Sequence, residues 1–449
     1  MSLLIRNLRA IVSCDGEGRV WEDASLYCED GCVRAIGPAC PETADEVMDG
    51  AGYLCYPGLV NTHHHLYQFF SRNLPRTQGL QLFDWLKALY GIWAGLDEEL
   101  VRLSTLCAAG ELLRHGCTTV FDHHYVFPKG SGDLLGAQFA AAEQLGVRFV
   151  AGRGSMDLSV KDGGLPPDSV VQTVDEILRD SALAAERWHD PRPGSMRQVA
   201  LAPCSPFSVS AELLRQSAKL ARSMGLRLHT HLGETLDEER WTLERVGMRP
   251  YDYMESLGWT GPDVWYAHAI HLNDSELSRM AQSGTAAAHC PISNMKLASG
   301  AMPLTAMLRH GVTVGLAVDG SASNDGSNLL EELRVAYLMH RLTAGDDAPP
   351  AAEFLRLATA GGARVLGRDD IGVLEPGRRA DFFLVDSRTP ELAGACFDPA
   401  ALPAAVGLHR PADYVFVDGI PRVREGHLLG VDEPRLAEEA DRCLRRYLG

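Results

Sequence analysis

The chain has 449 residues, 46% apolar and 22% charged, a balance that fits a globular protein with one large domain and a smaller one, or two to three ordinary domains. Its formal charge of −17 and pI near 5.4 exclude a nucleic-acid surface, and no basic run overrides them. No apolar stretch reaches the ~18 to 20 residues that a membrane span needs, so the remaining ligand class is a small molecule.

In chain order, Met-Ser-Leu-Leu-Ile-Arg-Asn-Leu-Arg opens with charges at Arg6 and Arg9 and no long apolar core, and reads as a strand rather than a signal peptide. Residues 1–57 continue as strand runs broken by turns at Asp15-Gly16, Asp30-Gly31 and Asp49-Gly50-Ala51-Gly52. From residue 58, β-prone runs at 59–63, 118–122, 147–151, 199–203, 226–231, 264–268, 285–289 and 312–319 alternate with amphipathic segments such as 211–222. Helical segments end at Gly116, Gly146, Gly225, Gly284 and Gly311, the chemistry of a helix C-terminus. Eight such alternations predict a (β/α)8 TIM-type barrel over 58–371. Strand runs after 372, among them Ala380-Asp381-Phe382-Phe383-Leu384-Val385-Asp386 and Tyr414-Val415-Phe416-Val417, are too few for a domain of their own. Residues 1–57 and 372–449 are therefore expected to form one small β-sandwich together.

The eleven cysteines are scattered, and none forms a C-x-x-C pair, so a cysteine zinc site is disfavoured. The pattern suits reduced thiols and a cytoplasmic location.

Chemistry in such a barrel sits at the C-terminal ends of the strands. Here those ends carry His63-His64-His65, His229-Thr230-His231, His268, His289 and Asp319. One such residue alone would be bland: Asp319-Gly320 is simplest as a turn, and Asp122-His123-His124 reads as a polar loop. The coincidence on one rim points to a metal. A catalytic zinc takes about three nitrogen or oxygen ligands and keeps one position for water, whose pKa it lowers to ~7. His63 and His65 alternate on one strand, so their side chains share a face; His231 adds a nitrogen and Asp319 an oxygen. Glu234 is placed to move protons without binding metal, and His268 to orient water or the attacked atom.

The motifs PGLVNTHHHLYQ, LHTHLGET, YAHAIHL, AAHCPISNMKLASG and GLAVDGSASND, in that order, resemble the amidohydrolase superfamily. Within it they look like the metal-dependent purine, pterin and triazine aminohydrolases, and GVLEPGRRADFFLVD extends the likeness into the outer sheet. The resemblance implies His63, His65, His231 and Asp319 as ligands of one divalent metal ion per chain, by default zinc. Iron and manganese suit the same donors. A single ion is implied because the end of strand four, Ala202-Pro203-Cys204-Ser205-Pro206, lacks the lysine of two-metal relatives. It further implies Asp319 as acceptor of the water's proton, Glu234 as donor to a ring nitrogen and His268 as the residue that polarises the water. His64 and His229 are expected on the opposite faces of their strands, in structural roles.

The uncharged pair Tyr67-Gln68 and the small Cys204 suit the edge of a planar heterocycle, with Gln68 and Cys204 as substrate contacts. HHHLYQ, QLFDWL and LAPCSPFSV look most like 8-oxoguanine deaminases, which implies conversion of 8-oxoguanine to urate and ammonia. Isoxanthopterin or guanine deaminases and hydroxytriazine hydrolases are the neighbouring alternatives. A non-catalytic scaffold would be expected to have lost ligands, and here every position is filled. A homo-oligomer acting on a small heterocyclic substrate, with no nucleic-acid or membrane partner, completes the expectation.

Overall fold

Eight parallel strands follow the predicted alternation: Leu59–Asn61, Cys117–His124, Arg148–Ser155, Arg197–Pro203, Arg227–Leu232, Val264–His268, Ala286–His289 and Val314–Leu316. The computed structural model describes residues 1–448. Each strand is hydrogen-bonded to the next in chain order. The last meets the first where the Thr62 amide and hydroxyl donate to Leu316 O, at 3.3 and 3.0 Å. Asp319 N then donates to His63 O at 3.2 Å.

The first and last strands are shorter than their apolar runs because the chain leaves the ladder at His63 and at Ala317–Asp319. The second strand is longer. Asp122-His123-His124, expected as a polar loop, continue it fully buried, opposite Ala151, Gly152 and Arg153. Their polar atoms are absorbed internally: Asp122 accepts from Leu66 N at 2.6 Å and from Gln138 Nε2 at 2.6 Å. That bond pins the chain immediately after His65.

Val60, Phe121, Val150, Ala200, Ala202 and Trp265 are among the side chains that fill the barrel's lower interior. Fully burying such an apolar side chain contributes about 1.5–3 kcal/mol, so the floor beneath the rim is a packed plug.

Both termini build the outer sheet, as expected; eight of its nine strands form one hydrogen-bonded path, and Glu46–Asp49 pairs with Ser2–Val12 off that path. Tyr53–Pro57 lies between Ser2–Val12 and Phe382–Asp386, which joins the two ends of the chain. Leu3, Ile5, Leu26, Phe382, Leu384 and Phe416 form its own core. At Gly116 (φ +82°) an added Cβ would meet the Phe383 ring at 2.7 Å, so the absent side chain lets barrel and sheet touch. Buried Arg148 ties them with bonds to Asp381 at 2.6 and 3.0 Å and a further bond to Asp418. The final helix, Glu433–Leu448, lies on the barrel helix Glu98–Arg114 instead of the sheet, because its apolar stripe buries Ala440 and Cys443 there. Among the described residues, no helix is long and apolar enough to cross a membrane.

Candidate active site

The rim assembles every strand-end residue singled out in the sequence except His64 and His289. His65 Nε2 and His231 Nε2 stand 3.1 Å apart, and Asp319 Oδ1 lies 3.2 Å from His63 Nε2 and 3.4 Å from His65 Nε2. All four are buried.

Their other ring nitrogens fix the tautomers, as the bonding pattern requires. His65 Nδ1 donates to His123 O at 2.7 Å, and His231 Nδ1 donates to Cys204 O at 2.5 Å. His229 Nδ1 donates to Trp265 O at 3.0 Å, so its Nε2 accepts from His63 Nδ1 at 2.8 Å. Three imidazoles therefore turn bare Nε2 lone pairs toward one another and toward a carboxylate. His63 Nε2 is buried with no hydrogen-bond partner among the described residues. Such a donor set is self-repelling until a cation sits in it, and it is a nitrogen–oxygen set that suits zinc. The two metal-competent groups, His63/His65/His123/His231 and His63/His231/His268/Asp319, share two members and form one centre.

The expectation for His229 is corrected here. It stands two residues from His231, so alternation puts both on the barrel's inner face, and His229 orients His63. His64 does turn away, to Ser327 Oγ at 3.0 Å, and burial lowers its pKa to about 3. His289 pairs with His340 through their Nε2 atoms at 2.9 Å, outside the cluster.

Burial opposes ionisation of Asp319, but His63, His268 and His65 outweigh it and hold its carboxyl well below the usual range. Oδ2 accepts from Ser293 Oγ at 2.5 Å and Ser323 Oγ at 3.1 Å. His268 Nε2 lies 3.6 Å from Glu234 Oε2 and 4.0 Å from Asp319 Oδ2. Burial works against a charge on His268 too, yet these carboxylates raise its pKa. Both His268 (φ +69°) and Asp319 (φ +63°) hold left-handed backbone, a strained state for residues with a Cβ that concentrates at functional sites.

Glu234 is pushed up to about 7, chiefly by burial and further by Asp319, with His268 opposing. Its loop is clamped by buried Glu238, which accepts from Gly233 N at 2.9 Å and Glu234 N at 3.2 Å. The sequence reading missed Glu238, although its spacing four residues after Glu234 was visible. It also missed Asn294, inside the AAHCPISN motif, whose Oδ1 lies 2.9 Å from His268 Nδ1.

A narrow cavity opens on this cluster. Gln68 and Cys204 line it, with Trp85, Tyr125, Phe207 and Leu297. Gln68 Oε1 is buried without a partner and rests where a Cβ on Gly320 would sit, beside Asp319. Cys204 contributes twice: its thiol, raised to about 12 by burial, faces the cavity, and its carbonyl holds His231. Trp85, from the helix Leu82–Trp93, places an indole Nε1 with no partner in the same buried wall. No role was read for it in the sequence, although QLFDWL was noted.

Comparison with known proteins gives the family. The amidohydrolase family matches residues 54–420. An 8-oxoguanine deaminase of Pseudomonas aeruginosa is 45% identical over 95% of each chain. A hydroxydechloroatrazine ethylaminohydrolase of Pseudomonas sp. (strain ADP) is 41% identical over 99% of this chain and 95% of that one. The crystal structure of a zinc-complexed atrazine chlorohydrolase from Arthrobacter aurescens superposes with a TM-score of 0.95 at 33% identity, covering 98% of this chain and all of that one. The chain thus belongs to the amidohydrolase family, as one of its metal-dependent hydrolases.

Proposed function

We propose that the protein deaminates an oxidised purine base, 8-oxoguanine, to urate and ammonia. The observation that carries this reading is the pair of unpartnered groups in the cavity wall: the Trp85 Nε1 donor and the Gln68 Oε1 acceptor. A buried polar group without a partner is costly, so this wall calls for a ligand that offers both an acceptor and an N–H. 8-Oxoguanine has a carbonyl at C8 flanked by ring N–H groups, which guanine lacks. In this reading Trp85 donates to the C8 carbonyl. Gln68, beside Asp319, accepts a ring N–H nearer the reacting carbon. The likeness to the Pseudomonas aeruginosa 8-oxoguanine deaminase supports the same assignment.

A divalent ion held by His63, His65, His231 and Asp319 would supply an activated water and a Lewis acid. The chain's own groups do the proton work. Ionised Asp319 takes the proton from the attacking water while the Ser293 and Ser323 hydroxyls fix its other oxygen. Glu234, whose proton is held near neutrality, delivers it to the ring nitrogen beside the attacked C2. His268, anchored through Nδ1, presents Nε2 to the water between Glu234 and Asp319. With the exocyclic amine protonated, ammonia leaves and the C2 carbonyl forms. Eleven free thiols support a reducing, cytoplasmic setting.

A panel of 8-oxoguanine, guanine, isoxanthopterin and an N-alkyl hydroxytriazine, assayed for ammonia and for alkylamine, tests the proposal. Preferred turnover of 8-oxoguanine with ammonia release is expected. Alkylamine release at a higher kcat/KM, or preferred turnover of the pterin, would replace it.

A further inference from the structure

At the opposite end of the barrel, beneath the plug, a second cavity of about 240 Å³ has no assigned role. Its wall is polar in one sense only. Arg227, His189 and Gln198 line it together with Val150, Val199 and Trp265, and no carboxylate is among the lining residues. In a chain of net charge −17, a wall of donors without an acid is an unusual local composition.

Each donor is available. Arg227 Nη2 donates to Val365 O at 2.8 Å, but its Nε is buried and has no partner among the described residues. The carboxylate whose charge reaches Arg227, Asp263, is itself held by Arg222 at 2.9 Å. The guanidinium lies against Gly367 (φ +68°), where an added Cβ would meet Nη1 at 2.6 Å, so a glycine makes its room. His189 Nδ1 accepts from Val199 N at 3.1 Å, which leaves the proton on Nε2 as a second donor. Gln198 Nε2 has only a long 3.5 Å contact, to Asp190 O. Burial lowers the Arg227 pKa to about 10, still far above neutrality, so the group is a largely buried cation with no carboxylate bonded to it among the described residues.

We propose that this cavity is a binding site for an oxyanion, filled by inorganic phosphate or by the phosphoryl or carboxylate group of a small metabolite. An oxyanion offers each of these donors an acceptor: one oxygen for Arg227 Nε and another for His189 Nε2, with Gln198 in the same wall. The site lies at the N-terminal ends of the barrel strands. Trp265, in its wall, stacks on His229 with ring centroids 4.6 Å apart, and His229 holds His63. The inference does not depend on which heterocycle the enzyme hydrolyses.

Thermal unfolding of the metal-replete protein in phosphate-free buffer, titrated with inorganic phosphate and separately with acetate, tests it, with potassium chloride at matched ionic strength as the control. A saturable rise in Tm with phosphate, absent with chloride, is expected. Arg227→Gln should weaken phosphate by about 10- to 100-fold, the loss typical of a charge-assisted bond. His189→Ala, on the cavity's rim, should weaken it less and serves if the arginine variant does not fold. An equal Arg227-dependent rise with acetate would assign the site to carboxylates within the same oxyanion class. No saturable phosphate effect would overturn the proposal. So would an effect of the same size in both variants, which would mark phosphate drawn to the catalytic metal instead.

Discussion

Asn294 Oδ1 lies 2.9 Å from His268 Nδ1, and this bond decides which edge of the imidazole meets Glu234 and Asp319. The carbonyl-type oxygen can only accept, so Nδ1 carries the proton and Nε2 faces the reaction.

Asn294→Leu should therefore keep the metal and lower kcat on the order of 10²-fold, the scale of a misplaced catalytic group. The pH profile should move with it. Burial already opposes the charge on His268, and Asn294 is one of the groups that raise its pKa. Removing that support lowers the pKa, so the limb governed by His268 should shift to lower pH. A kcat loss with an unchanged profile would mean general loosening of the site.

Metal content follows from three inward lone pairs and one carboxylate. Elemental analysis of replete protein should find about one divalent ion per chain. His63→Ala and His231→Ala should lose tight binding and activity together. Chelation should abolish turnover, with zinc restoring it. Two tightly held ions would refute the single-centre reading.

Glu234→Gln should keep its ion and lose about 10² to 10⁴-fold in kcat, as a missing general acid–base does. Its carboxyl is held near 7 by burial, so the protonated form that donates to the ring drains away above that pH. In the wild type, kcat/KM should fall as pH rises past about 7. A variant purified without metal would show that Glu234 is a ligand after all.

Trp85→Phe keeps the ring and deletes the open N–H. It should cut the preference for 8-oxoguanine over guanine by about 10-fold or more while leaving guanine turnover nearly unchanged, because guanine has no carbonyl at C8 to pair with that donor. Gln68→Ala should lower kcat/KM for both bases. An unchanged ratio in Trp85→Phe, read from kcat/KM for the two substrates, would remove Trp85 from recognition.

Much of this was legible in the residues. The barrel could be read because strand and helix periods alternate eight times, with glycines such as Gly146 and Gly284 closing helices in left-handed backbone. The rim cluster of His63, His65, His231 and Asp319 could be read because strand ends set the rim. The first and last strands end early because the chain leaves the ladder by His63 and Asp319, and Asp319 holds a positive φ that no sequence pattern announces. His229 was misplaced although its even spacing from His231 was in plain view. Trp85 could not be read at all, because only tertiary packing lays the Leu82–Trp93 helix over the cavity.

The three histidines of the centre are aimed, directly or through His229, by the main-chain oxygens of His123, Cys204 and Trp265. A point mutation replaces a side chain but leaves its carbonyl in place. Evolution can therefore redraw the cavity at position 204, and at the other lining positions, without touching the aim of these histidines. Cys204→Ala should bind its ion as the wild type does, even where substrate preference changes. The architecture separates an inheritable reaction from a revisable specificity, which is the condition under which a single scaffold can diversify from purines to triazines.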